Sequence, residues 1–148
     1  MTQNLTQFLT GAKNKNFATK TGTATHTILQ RVIIDTDYVI GEKDIVNAIK
    51  QHPNLLPFFS KTAQTEAPIA GIIHGHFISR RIDRMLINHD AKTIDFIDYK
   101  TDTNKNTFIE KYTKQLQEYA ELLCSAYPNY KIKGYILWLQ DWSLDKII

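Results

Sequence analysis

The chain has 148 residues, of which 43% are hydrophobic and 22% charged, a length and composition typical of one ordinary globular domain. No stretch approaches the ~18 consecutive apolar residues needed to cross a bilayer, which excludes a membrane-spanning protein. The net charge of +3 permits a nucleic-acid partner without requiring one. The single cysteine, Cys124, cannot close a disulfide within the chain or anchor an iron–sulfur cluster alone.

Residues 1–16 are polar and show no apolar period, so we expect a disordered lead-in or the stub of a linker there. They also lack the apolar core of a secretory signal, which favours a cytoplasmic location. Residues 17–148 are then expected to form a single domain.

Two helices are predicted near the start of this domain. Apolar residues at helical spacing indicate one helix over residues 23–34, which carries His26, and another over residues 42–51, which stops before Pro53. A short helical turn is expected over residues 54–60.

The next part of the chain is rich in β-branched and aromatic residues. Residues 68–87 and 93–99 predict a three-stranded meander, with a hairpin turn over residues 88–92. Helical spacing returns over residues 107–127, ahead of Pro128, and the apolar run 131–139 predicts a buried strand that joins the sheet after this helical crossover. The predicted fold class is α/β, with a central mixed sheet of about four strands flanked by helices in the order ααβββαβ.

The segment IDFIDYK (94–100) carries two charged residues on one strand face. Because side chains alternate along a strand, Asp98 and Lys100 point the same way. On the preceding strand, Arg81, Asp83, Met85 and Ile87 are predicted to share a face, so that Asp83 can approach Asp98 across the strand pair.

Two carboxylates that converge in a core repel each other unless a cation lies between them. Mg²⁺ suits such a site, because it takes carboxylate oxygens and leaves room for substrate phosphate. A nearby lysine can orient water and stabilise charge on the phosphate. Asp83, Asp98 and Lys100 are therefore candidates for a phosphodiesterase centre. The spacing alone leaves a second interpretation open, in which Asp98–Lys100 or Asp83–Arg81 is an ion pair at a solvated sheet edge.

Five short stretches add a resemblance to a known family. GTATH (22–26), TEAPI (65–69), SRRIDRM (79–85), DFIDYKT (95–101) and YTKQLQEYAELL (112–123) resemble, in this order, the motifs of the RecB-like nucleases of the PD-(D/E)XK superfamily. The likeness is greatest to the C-terminal nuclease domain of AddA-type helicase-nucleases and covers roughly residues 20–140. It implies a fold with a restriction-endonuclease-like core.

The resemblance also implies roles for individual residues. It makes His26, Asp83 and Asp98 ligands of one or two Mg²⁺ or Mn²⁺ ions, and Lys100 the catalytic lysine. Gln115 and Tyr119 match the family's helix motif Q-x-x-x-Y, whose members lie four residues apart on one helical face. Solvent exposure of Gln115 and core packing of Tyr119 are the alternatives.

The implied function is that of a Mg²⁺-dependent deoxyribonuclease, either an exonuclease or an endonuclease, which acts on DNA in recombination or repair. The sequence contains no G-x-x-x-x-G-K-[ST] loop, so a helicase motor would have to lie in another domain or subunit. Two alternatives stay open: a catalytically silent DNA-binding or scaffolding module with the same fold, and a stand-alone PD-(D/E)XK endonuclease.

The sequence departs from the family pattern in two places. Arg80 stands where the family often has glycine, which puts the local strand geometry in doubt. The cysteines that hold an iron–sulfur cluster in Cas4 and AddB nucleases are absent, so no such cluster is expected.

Other polar and aromatic residues also lie in or near these motifs. Glu66 resembles the acidic residue that precedes the first strand in these nucleases, although a surface carboxylate is an equal alternative. His74 and His76 are expected on a polar strand face. Trp138 and Trp142 are expected in the core, with base stacking as the alternative. The remaining arginines around Asp83 could contact phosphates or neutralise nearby acids: Arg80, Arg81 and Arg84.

Overall fold

The computed structural model describes residues 24–148, which begin in a helix, α1, that is described from residue 24 to residue 29. A two-stranded antiparallel hairpin follows, formed by β1 (Ile33–Ile34) and β2 (Val39–Ile40). Next come the helix α2 (Lys43–Lys50) and a 3-10 helix (Pro53–Phe59). Within residues 24–148, no helix has the length and apolar character needed to cross a membrane.

The second half of the chain builds a five-stranded mixed sheet whose strands lie side by side in chain order. The antiparallel strands β3 (Gln64–Ile73), β4 (His76–Asn88) and β5 (Thr93–Lys100) form the predicted meander. The helix α3 (Lys105–Ala126) then crosses over to β6 (Lys131–Trp138), which is parallel to β5. A last strand, β7 (Ser143–Lys146), pairs with β6 in the antiparallel sense.

Each face of the sheet carries its own apolar core. On one face, Ile97, Tyr99 and Leu137 pack with residues of α1, α2 and the 3-10 helix. On the other face, Phe96 and Trp138 belong to the core that packs under α3. Because β5 and β6 are covered on both sides, almost every residue from Ile94 to Tyr99 is apolar or buried, as parallel strands in α/β proteins usually are.

The helix α3 is fixed closely against the sheet. Its first turn is capped by Asn104, whose side chain accepts a hydrogen bond from the Thr107 N–H. Where it crosses β3, a Cβ atom added to Gly71 would lie 3.0 Å from the Leu122 side chain, so this approach depends on the missing side chain. The face of α3 at this crossing is thereby held against β3.

The structure confirms the α/β class and most predicted elements. The predicted helix over 42–51 corresponds to α2, the turn over 54–60 to the 3-10 helix, the helix over 107–127 to α3, and the strand over 131–139 to β6. The meander and its hairpin turn also form as predicted. The lead-in over residues 1–16, and the start of the domain at residue 17, lie outside the described residues.

Three predictions about the bounds, number and placement of elements were wrong. The first helix does not continue to residue 34, because the backbone turns after Leu29 and Ile33 enters β1. The sheet has five strands instead of about four, since β7 is a short edge strand whose mixed residues carry no clear alternation. His74 does not share a strand face with His76, because it lies in the β3–β4 turn with a φ of 50°.

The side-chain alternation along β4 breaks at Asp83. Ile82 and Met85 both pack in the core under α3, although they are three residues apart and strict alternation would place them on opposite faces. Glu66 lies opposite this point between the pairs Thr65–Arg84 and Ala67–Ile82, and its φ is 50°. The prediction that one face runs unbroken from Arg81 to Ile87 is therefore wrong, and Asp83 lies at an irregularity in the sheet.

Candidate active site

The sheet forks where the candidate catalytic residues lie. The ladder between β4 and β5 ends at the pair Arg84–Ile97, whereas β5 stays paired with β6 as far as Lys100–Trp138. Beyond the end of the ladder, Oδ2 of Asp83 accepts a hydrogen bond of 2.7 Å from the Tyr99 N–H. A buried N–H needs an acceptor, and a carboxylate supplies it here, so Asp83 is held beside the end of β5.

Asp98 is buried next to Asp83, with an exposed fraction of only 5%. Its Oδ2 atom lies 2.7 Å from Nζ of Lys100. The contact is a close ion pair, so Oδ2 of Asp98 already faces one cationic side chain. Burial, reinforced by the negative charge of Asp83, raises the pKa of Asp98 to about 6, although Lys100 and His26 oppose the change.

Lys100 contacts groups from two elements. Besides its ion pair with Asp98 on β5, its ammonium donates a hydrogen bond of 2.8 Å to Oε1 of Gln115 on α3. It also lies 4.1 Å from the centre of the Tyr112 ring, which is a cation–π distance. The predicted common face of Asp98 and Lys100 is confirmed. Tyr112 was missed as a neighbour of Lys100, although its position three residues before Gln115 puts both on one helical face.

Gln115 and Tyr119 continue this chain of hydrogen bonds along α3. An ammonium can only donate, so the Gln115 oxygen must face Lys100 and the amide nitrogen must face away from it. That nitrogen donates a 2.8 Å hydrogen bond to the Tyr119 hydroxyl. Burial raises the pKa of Tyr119 to about 12, with a further rise caused by Asp98. Gln115 is half-buried and Tyr119 is buried in the core, so both pack against the site.

His26 reaches the site from the other face of the sheet. It lies in α1, and its Nε2 atom is 3.3 Å from Oδ2 of Asp83. Its ring centre is 5.4 Å from that of Tyr99. The structure therefore brings together all the predicted site residues, with His26 and Asp83 on one side and Lys100, Gln115 and Tyr119 on the other side of Asp98.

Glu66 is also close to the fork. It lies inside β3, opposite Asp83, and not before the first strand of the five-stranded sheet. It is half-buried, and its negative charge contributes to the raised pKa of Tyr99, which is caused mainly by burial. Glu66 is consequently a neighbour of the site and not a remote surface carboxylate.

Arg84 has a role that neither sequence interpretation foresaw. Its side chain is buried, so it cannot contact a phosphate, and its partners are not acids. The guanidinium donates four hydrogen bonds of 2.6–3.0 Å, to the carbonyls of Leu29, Val32 and Phe58 and to the Tyr99 hydroxyl. It also stacks on the Phe59 ring at 4.1 Å. Arg84 thus joins the end of α1, and hence His26, to the sheet. The apolar residues nearby in the strand, Ile82 and Met85, were the available signal of burial.

The other arginines and the tryptophans lie at the edges of the site or in the core. Arg80 pairs regularly with Ile69 in the β3–β4 ladder and forms a 2.8 Å ion pair with Glu118. The strand is therefore regular at Arg80. Arg81 is exposed. Trp138 and Trp142 are buried, which confirms core packing for both.

The described acidic and histidine side chains of the site do not form a complete set of metal ligands. Within residues 24–148, no group of three His, Cys, Asp or Glu side chains is placed so that it could hold one. The predicted ligands are linked in pairs. His26 contacts Asp83, and the negative charge of Asp83 raises the pKa of Asp98. Their chemistry nevertheless suits a hard divalent cation. Two buried carboxylates repel each other, and the single charge of Lys100 does not offset both of them, so a divalent cation could compensate the pair.

Comparisons with known proteins do not add to this geometry. No protein-family model matches the chain, and a comparison with curated proteins finds no significant match.

Proposed function

We propose that the protein is a metal-dependent nuclease that hydrolyses phosphodiester bonds in DNA. The observation that carries the proposal is the grouping of Asp83, Asp98 and Lys100 at the fork of the sheet. Gln115 accepts a hydrogen bond from Lys100 there. Burying two carboxylates beside a half-buried lysine costs free energy, and a catalytic role would account for that cost. Buried groups with shifted pKa values are concentrated at functional sites.

His26, Asp83 and Asp98 would hold Mg²⁺ or Mn²⁺, as one or two ions. A bound ion supplies Lewis-acid polarisation of a phosphate oxygen. Because the Lys100 ammonium is in contact with Asp98, binding of a cation there requires this ion pair to loosen. Lys100 then keeps its hydrogen bond to Gln115, which holds the ammonium near the reacting phosphate.

The reaction is an in-line attack by water on phosphorus. A bond forms between the water oxygen and phosphorus, the bond to one ester oxygen breaks, and the water proton ends on the leaving oxygen through solvent. Lys100 orients the attacking water and stabilises the negative charge that develops on the phosphate. Gln115 fixes the position of Lys100, and Tyr119 fixes the orientation of the Gln115 amide.

The proposed setting is the nuclease module of a recombination or repair helicase-nuclease in the cytoplasm. The order of the five motifs resembling RecB-like nucleases supports it, together with a PD-(D/E)XK type of core. The sheet that carries Asp83 on β4 and Asp98 with Lys100 on β5 is compatible with that core. A helicase motor would be supplied by another domain or subunit.

The test is a cleavage assay on end-labelled single-stranded and double-stranded DNA with Mg²⁺, with Mn²⁺ and with EDTA. We expect cleavage that EDTA abolishes and that Asp98→Asn eliminates. Asp95→Asn is the matched control, because Asp95 lies on the same strand but lines a different pocket. If the folded protein cleaves no substrate with either metal, the enzyme proposal is wrong and a silent DNA-binding module is the better interpretation. Metal-dependent cleavage by Asp98→Asn would refute the role of Asp98.

A further inference from the structure

A basic cleft opens beside the candidate active site, between α3 and β4. Its volume is about 540 Å³. The charged and amide side chains that line it are Arg80, Lys100, Lys111, Lys114, Gln115 and Glu118. Lys100 and Gln115 belong to the candidate active site as well, so the cleft is continuous with that site.

The α3 wall of the cleft is a single helical stripe. Lys111, Lys114, Gln115 and Glu118 follow one another at helical spacings of three, four and seven residues from Lys111, which places them on one face. Arg80 faces this stripe from β4 and is joined to it by the 2.8 Å ion pair with Glu118. The cations are therefore arranged along the cleft and do not surround a single point.

The cleft has more positive than negative charge. Arg80, Lys111 and Lys114 are exposed to solvent, and Glu118 is the one acidic residue among the described residues that line the cleft. Lys114 also lies 3.6 Å from Glu110, but both side chains are at least three-quarters exposed, and such surface pairs contribute little. A polyanion that enters the cleft meets these cations next to Lys100.

We propose that this cleft binds the phosphates of the DNA strand that flank the scissile phosphate. This inference rests on the proposed nuclease function. A row of exposed cations suits successive backbone phosphates, whereas a compact ring of donors would suit a free anion. Both the Lys100 ammonium and the Phe108 ring lie against the Tyr112 ring, so this aromatic residue of the cleft already has partners and contacts to phosphates are the proposed mode of binding. Binding through phosphates alone is independent of base sequence.

The test measures DNA binding separately from cleavage. Affinity for a fluorescent single-stranded oligonucleotide is measured by anisotropy over a range of salt concentrations, in an Asp98→Asn background that prevents cleavage. Lys111→Glu/Lys114→Glu is compared with the matched control Lys43→Glu/Lys50→Glu, which reverses two exposed lysines of α2 on the opposite side of the sheet. Lys111→Gln/Lys114→Gln provides a milder variant in case charge reversal prevents folding.

The α3 variants should bind roughly ten-fold more weakly at low salt, and the slope of log affinity against log salt should fall by about 1–2, since each lost phosphate contact changes it by ~0.7 on single strands. The α2 control should bind like the parent protein. Equal binding by the Lys111/Lys114 variants and the control would overturn the inference.

Cleavage by the corresponding variants with Asp98 intact separates this inference from the proposed function. If the wild type cleaves DNA but the Lys111/Lys114 variants bind and cleave like the α2 control, only the cleft inference fails. If the wild type does not cleave but binds DNA through Lys111 and Lys114, the nuclease proposal fails and the cleft stands. If it neither cleaves nor binds, both are wrong.

Discussion

The Tyr99 N–H donates its hydrogen bond to the side chain of Asp83 and not to a backbone carbonyl of β4, at a distance of 2.7 Å. Asp83 therefore has a structural task in addition to its proposed place at the metal. The two tasks can be separated, because the structural one needs only an acceptor oxygen, whereas the proposed metal site depends on the negative charge of the carboxylate.

Asp83→Asn and Asp83→Ala should both abolish cleavage, but they should differ in stability. The amide oxygen of Asn can still accept the Tyr99 hydrogen bond, whereas Ala leaves a buried N–H without an acceptor, at a cost of about 1–3 kcal/mol. Urea unfolding of the two variants measures this difference. Equal stability of both variants would show that the hydrogen bond does not hold the end of β5.

Asp98→Asn should stabilise the metal-free protein at neutral pH. The pKa of Asp98 is raised to about 6 in the folded protein, from 3.8, so folding favours its neutral form. The stability that Asp98 contributes is present below pH 4 and is lost as pH rises towards 6. Asn does not titrate, so Asp98→Asn should gain stability relative to wild type by about 1–3 kcal/mol between pH 4 and pH 7. Unfolding of wild type and Asp98→Asn in EDTA across this pH range measures the gain. A difference in their free energies of unfolding that does not change with pH would contradict the prediction.

Arg84→Met should be one of the most destabilising substitutions in the chain. It removes four buried hydrogen bonds and leaves three carbonyls and the Tyr99 hydroxyl without this donor, which should cost about 3–5 kcal/mol. Arg84→Lys should recover only part of the loss, because an ammonium lacks the planar fork of the guanidinium. Arg81→Met is the control, since Arg81 is exposed, and it should change the free energy of unfolding by less than about 0.5 kcal/mol. A loss for Arg84→Met as small as that of the control would contradict the role of Arg84.

Gln115→Met should lower kcat by about 10–100-fold, a range typical for the loss of a residue that orients a catalytic group. KM should change little, because Gln115 acts on Lys100. Tyr119→Phe should have a smaller effect of the same kind. Their effects should not add in the double variant, since Tyr119 acts through the Gln115 amide. Gln117→Met, at an exposed position of the same helix, is the control. An additive double variant would show that Tyr119 acts independently.

Most of the fold could be predicted because the apolar periods of α2, α3 and the strands β3 to β6 are strong. The short elements could not: β1, β2 and β7 have two to four residues each, and their pairing is decided by tertiary contacts. The common face of Asp98 and Lys100 followed from strand alternation alone. The position of Asp83 did not, because β4 loses its alternation there. The hydrogen bonds of Arg84 to distant carbonyls could not be inferred from any local pattern.

The chain positions of the site residues bear on how the site forms during folding. Asp83, Asp98, Lys100, Gln115 and Tyr119 all lie between residues 83 and 119, within one continuous strand, strand and helix unit. Contacts of this short range need little loop closure and can form early. His26 lies on α1, whose end is joined to the sheet by the hydrogen bonds of Arg84 to carbonyls more than 50 residues away in sequence. The contact of His26 with Asp83 therefore depends on contacts of long range. We therefore expect folding kinetics in which the carboxylate and lysine part of the site assembles before the histidine docks.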